Sequence, residues 1–151
     1  MSTPRLNRTP KRTSVVRTVF RLLLGAFLLF AGTSHLTWSR TEFRAQVPRW
    51  LPLPADLVVV GSGIVELALG GALVALPRRR TIVGWIVAAF FVAIFPGNIS
   101  QYVNRVDAFG LNSDRARAIR LLFQPGLVIW ALWATGAWQA WRARRSDKAV
   151  I

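Results

Sequence analysis

The chain has 151 residues, 53% hydrophobic and 17% charged, with a formal net charge of +14. That length fits one domain, and soluble domains usually carry about 25% charged residues, so the balance leans apolar. With no cysteine, disulfides, thiolate metal sites and dithiol–disulfide exchange by this chain are excluded.

Residues 1–18 read as a basic, disordered segment carrying Arg5, Arg8, Lys11, Arg12 and Arg17. Four apolar runs follow, at about 19–38, 56–76, 81–100 and 119–141. Each approaches the about 20 helical residues needed to cross a bilayer core about 30 Å thick. None alternates with the period of a barrel strand. The first run, with Arg17 and Arg21 placed to snorkel, has a cleavable leader as its rival reading; "FAGTSH" lacks a small-x-small cleavage pair, which favours a retained helix. The loop "TWSRTEFRAQVPRWLPLPAD" holds Pro48, Pro52 and Pro54, and proline blocks regular helix, so an irregular shoulder is expected there. "PRRR" is so short a turn that the second and third helices must be neighbours of opposite direction. Residues 142–151 read as a basic tail.

The cations sit at the ends of apolar runs, which is a membrane pattern and not a nucleic-acid stripe. With the N-terminus inside, the inner flanks hold twelve Lys and Arg; the outer loops hold six, namely Arg40, Arg44, Arg49, Arg105, Arg115 and Arg117. The expected fold is therefore all-α: residues 19–141 form a polytopic, four-helix antiparallel bundle in the lipid bilayer, with both termini cytoplasmic. Trp38 and Trp50 then fall near the outer interface and Trp85, Trp138 and Trp141 near the inner one, where such rings settle. Trp130 and Trp133 lie deeper. No nucleic-acid partner is implied.

"VVVGSGIVELALGG" superficially resembles a dinucleotide fingerprint, but Glu66 stands where Gly or Ala is needed and no βαβ alternation surrounds it. As a helix, it places Ser62, Gly63, Glu66 and Gly70 within one arc of about 100°. The small residues support close helix packing and turn Glu66 toward the bundle interior. His35, Asn98, and the i, i+4 pair Arg120 and Gln124 fall at the same outer level. Helical side chains lean toward their own N-terminus, so these groups converge on one layer. Pro96 and Pro125 disturb the helices there. The alternatives are an interfacial histidine, amide glue between helices, a headgroup-anchoring Arg120 and a structural Glu66. An ionisable residue at mid-bilayer is nevertheless a functional hypothesis by default.

The ordered pieces "AGTSHL", "VPRWLPLP", "GSGIVELALGGALV", "FPGNIS" and "RLLFQPGLVIWAL" resemble the DoxX family of small four-helix membrane proteins. That family typically shows a His in the first helix, Gly-x-x-Glu in the second, Pro-x-Asn in the third and Arg-x-x-x-Gln in the fourth. The matching positions are His35, Gly63 with Glu66, Pro96 with Asn98, and Arg120 with Gln124. Leu36 and Ser100-Gln101 depart from the pattern. The resemblance implies a multi-pass protein of a bacterial cell (inner or plasma) membrane, associated with oxidoreductase subunits such as those of a thiosulfate–quinone oxidoreductase.

Three functions follow as expectations. The first is a membrane partner of a redox complex, with a quinone or small apolar ligand held by Glu66, Asn98 and Gln124. The second is a small proton-linked carrier in which Glu66 titrates, built as a homo-oligomer to provide two gates. The third is a structural membrane protein. Independent redox catalysis is disfavoured because the chain has one His, no Cys and no haem, iron–sulfur or flavin motif. A metal site is disfavoured by the few ligands.

Overall fold

The computed structural model describes residues 14–148, and its regular structure is helical, with no strand among the described residues. Helices run α1 Val15–Leu36, α2 Arg40–Gln46, α3 Ala55–Ala75, α4 Arg80–Val103, α5 Asp114–Ala134 and α6 Ala137–Lys148, with a 3-10 turn at Pro77–Arg79. Residues 1–13 of the expected disordered segment and 149–151 of the tail lie outside the described residues; α1 is already helical from Val15. Val15–Leu36, Ala55–Ala75 and Pro77–Val103 are long and apolar enough to cross a membrane, and α5 with α6 makes a fourth candidate, bent by 65°.

The closest packing is α1 along α3 and α4 along α5, although the tight turn joins α3 to α4. Glycines explain the first pairing. A Cβ on Gly32 would stand 2.7 Å from the Gly63 carbonyl oxygen, and one on Gly70 would stand 2.8 Å from that of Gly25. The paired glycines repeat every seven residues on both helices, about two turns, so the backbones touch twice along one seam. Around this seam Leu24, Leu28, Leu69, Leu73, Val87 and Phe91 form the buried core.

Three local features differ from the sequence expectation. Arg40–Gln46 is helical, because the prolines begin only at Pro48; the irregular shoulder is limited to the segment after it. Arg40 clips α2 to the start of α3 through two bonds to Asp56, Nε donating to Oδ1 at 2.8 Å. Arg21 does not snorkel. It is 5% exposed and donates to the Leu73 carbonyl, one of the last carbonyls of α3 that have no partner within the helix.

The third difference is at the end of the fourth segment, where the helix stops instead of continuing to residue 141. Thr135 is fully buried, its Oγ1 donating to the Ala131 carbonyl at 2.6 Å. Gly136 adopts φ +72°, the left-handed conformation in which glycine ends helices without a Cβ penalty. At the other end, α5 starts as its composition dictates. Ser113 Oγ accepts from the Ala116 amide at 3.2 Å, and Asp114 in the first turn favours the positive helix end. Arg117, buried, ties the preceding loop to α5 by donating to Asp114 at 2.7 Å and to Asp107. The sequence reading had counted it as a loop cation.

Candidate functional site

His35 comes from the last turn of α1, Glu66 from the middle of α3, Asn98 from the last third of α4, and Arg120 and Gln124 from the first half of α5. All five line one cavity of about 600 Å³. The structure gathers them into two clusters.

The first cluster lies on the α1–α3 seam. His35 Nδ1 stands 2.6 Å from Glu66 Oε2, with His35 6% and Glu66 4% exposed. The two atoms approach off the line that a hydrogen bond requires, and neither has another partner among the described residues. A small rotation of either side chain would align the pair. Gly63 makes the contact possible. A Cβ there would stand 2.9 Å from His35 Cβ, so the glycine admits the histidine one turn before Glu66. Ser62 bonds within its own helix, donating to the Val59 carbonyl at 2.9 Å, and Gly70 packs against Gly25 further along the seam.

The second cluster is a chain of amides on α2, α4 and α5. Asn98 Nδ2 donates to Gln124 Oε1 at 2.8 Å, and Gln124 Nε2 donates to the Phe91 carbonyl at 2.6 Å. That carbonyl lies five residues before Pro96, next to the Val92 carbonyl that the missing proline N–H leaves unpaired. Arg120 Nε donates to Asn98 Oδ1 at 3.3 Å and Nη2 to Gln46 Oε1 at 3.2 Å. Gln46 in turn donates to Gln101 Oε1 at 3.0 Å. The Arg120 guanidinium lies 4.9 Å from the centre of the Phe109 ring, within cation–π range. Among the described residues no carboxylate lies within 4 Å of it.

This arrangement redistributes the expected roles. Asn98 and Gln124, expected to reach a ligand, bond each other, Gln124 also bonds the backbone, and Asn98 accepts from Arg120. A guanidinium has five donors, and two are engaged among the described residues, which leaves Arg120 capacity for a ligand oxygen. The sequence reading missed Gln46 and Gln101. Gln101 is 1% exposed and sits three residues after Asn98, hence on the same helix face, which was a usable signal. Gln46 had none, because its segment was read as irregular.

The roof of the cavity is aromatic. Phe43 packs against the His35 ring, and its centroid lies 4.6 Å from that of Phe109. Phe109 itself has φ +57°, an uncommon conformation for a bulky residue. Phe30, Trp38 and Phe123, each more than 60% exposed on the flank of the bundle, line the same cavity. It therefore runs from a polar inner end to an apolar side opening. A second depression of about 390 Å³, against the irregular shoulder, contains none of the five residues. Among the described residues no group of three His, Asp or Glu gathers as metal ligands do.

No curated protein and no solved structure matches the chain. A family model does, over residues 24–135, a span that contains all five cavity residues and ends at the buried Thr135. The chain belongs to that family, described as Domain of unknown function (DUF8561).

Proposed function

We propose that the chain is a multi-pass protein of a cell (inner or plasma) membrane, bacterial in origin, with an antiparallel four-helix bundle and both termini cytoplasmic. In this reading the cavity lies in the outer half and binds a small amphiphile bearing acceptor oxygens, of which a quinone is the type. The chain then serves as the membrane partner of an oxidoreductase complex. One observation carries the ligand reading. The cavity, about 600 Å³, opens through Phe30, Trp38 and Phe123 on the bundle flank and ends at Arg120 and the His35–Glu66 pair. Ligand sites of this size are mostly apolar with a few convergent polar groups, and a side opening favours a ligand that arrives dissolved in lipid. The redox setting rests on the resemblance of the ordered sequence motifs to the DoxX family alone. Electrons would come from a partner subunit, since this chain has no cysteine to cycle.

The His35–Glu66 contact favours a second reading, a small carrier or proton-linked permease with this pair in its path. A homo-oligomer would then supply the two gates. The readings separate on ligand and transport. A benzoquinone with a short alkyl tail should quench the fluorescence of Trp38 and Trp50, which line the cavity, in a saturable manner. Arg120→Gln should weaken that binding about tenfold, about 1.4 kcal/mol. Linear quenching, unchanged by the substitution, would reject the quinone reading. Proton-coupled solute flux into liposomes would replace it with the carrier.

A further inference from the structure

The end of the molecule away from the cavity carries a different chemistry. Helix α6 leaves α5 at 65°, and several contacts fix that angle. Gly136 supplies the left-handed turn at φ +72°. Thr135 fills the space at Gly84, where a Cβ would lie only 1.9 Å from Thr135 Oγ1. Arg17 at the start of α1 donates to Gln139 on α6 and lies over the Trp133 ring at 5.8 Å. The first turn of α6 is thus anchored against α1 and α4 where α5 ends.

Its surface is amphipathic in a particular way. Trp138 and Trp141, three residues apart, set their rings 5.0 Å apart, and the Arg145 guanidinium lies 4.2 Å over Trp141. Arg142, Arg144 and Arg145 are exposed, as are Arg78 and Arg79 of the turn that leads into α4, the helix against which α6 packs. Acids are almost absent here. Glu42, Asp56, Asp107 and Asp114 all lie toward the cavity end, where Asp56, Asp107 and Asp114 pair with Arg40, Arg117 and Arg105. Asp147 is the one acidic residue that α6 carries.

We infer that α6 and the Pro77–Arg79 turn together form a docking surface for anionic phospholipid headgroups. A transmembrane helix tilts by about 20° on average, so a helix bent 65° from α5 stands about 45–85° from the membrane normal, inclined toward the membrane plane. Tryptophan rings settle at that level. Interfacial helices with basic polar faces are attracted to anionic lipid, and a guanidinium grips a phosphate through its planar fork. The occupant is thus the phosphate layer of the leaflet where α5 ends.

This inference rests on α5, 21 residues long, crossing the membrane by itself, with α6 lying outside the span instead of completing it, and its test keeps the two separate. Full-length protein is placed in bilayer discs of phosphatidylcholine with or without phosphatidylglycerol, and the lipids retained in mild detergent are weighed by native mass spectrometry. Wild type should keep phosphatidylglycerol severalfold over phosphatidylcholine. The triple variant Arg142→Gln, Arg144→Gln, Arg145→Gln should lose most of that preference while staying inserted. A nitroxide on Ala143→Cys, a unique thiol because the chain has no cysteine, should report headgroup depth. Equal retention of the two lipids by wild type, or an unchanged preference in the triple variant, would overturn the inference. Extraction of the protein from membranes by alkaline carbonate would overturn the membrane reading itself.

Discussion

Gly63 lies against the Cβ of His35, and that single missing methyl group lets the imidazole reach Glu66 from the neighbouring helix. The spacing Gly63-x-x-Glu66 thus has a mechanical meaning. One turn of α3 supplies the gap and the next supplies the carboxyl group, so packing and polar chemistry are coupled at one place on the seam.

Glycine substitutions should divide sharply by position. Gly32→Ala or Gly63→Ala drives a Cβ to within 3 Å of the facing helix, and overpacking of this kind costs about 1–3 kcal/mol. Gly61→Ala and Gly71→Ala meet nothing within 4 Å. They should be neutral or stabilise the helix by up to ~1 kcal/mol. Thermal melting in detergent reads the contrast; equal effects at all four positions would contradict the seam.

Thr135 and Gly84 should behave as a coupled pair. Gly84→Ala alone should destabilise, because a Cβ would also lie 2.7 Å from Thr135 Cβ. Thr135→Ala removes the hydroxyl and methyl but leaves that Cβ, so rescue should be partial, while Thr135→Gly should rescue further. A double-mutant cycle with a coupling of about 0.5–3 kcal/mol is expected for such neighbours. Additive effects would mean that the two residues do not meet.

Glu66 separates structural from functional accounts. Glu66→Gln keeps volume and hydrogen-bonding capacity and should fold and melt like wild type, yet lose quinone quenching or proton-coupled flux. Glu66→Leu should destabilise by about 1–2 kcal/mol, as loss of an interhelical polar contact does. A Gln variant that keeps both ligand binding and cellular phenotype would leave Glu66 with a structural role only.

Orientation is tested by reporters. A fusion after Lys148 that is active only in the cytoplasm should be active, and an insertion near Asn112 should be inactive. The opposite pattern would place the cavity in the inner half of the bilayer.

Much of the helical layout was legible because membrane-length apolar runs and their flanking cations are strong signals. The shared layer of His35, Glu66, Asn98, Arg120 and Gln124 followed from helix direction and side-chain lean, and the structure lines one cavity with all five. What the sequence hid was tertiary. Arg21 was read as snorkelling because its partner, the Leu73 carbonyl, lies 52 residues away. The break at Gly136 was missed because a glycine followed by "AWQAW" is compatible with a continuing helix; the left-handed Gly136 and the Thr135–Gly84 contact set the stop. Helix α2 was masked by prolines that follow it, and Gln46 with it. The engaged state of Asn98 and Gln124 depends on the Phe91 carbonyl in the turn before Pro96, a backbone partner that no spacing rule identifies.

The most direct test is chemical analysis of the native protein. The chain is purified from its own membrane in mild detergent, and the extracted small molecules and co-purifying proteins are identified by mass spectrometry. The account predicts a quinone or similar amphiphile near one per chain, lost in the Arg120→Gln variant, together with an oxidoreductase subunit. A correctly folded protein carrying only phospholipid, with the same content in the variant, would contradict it.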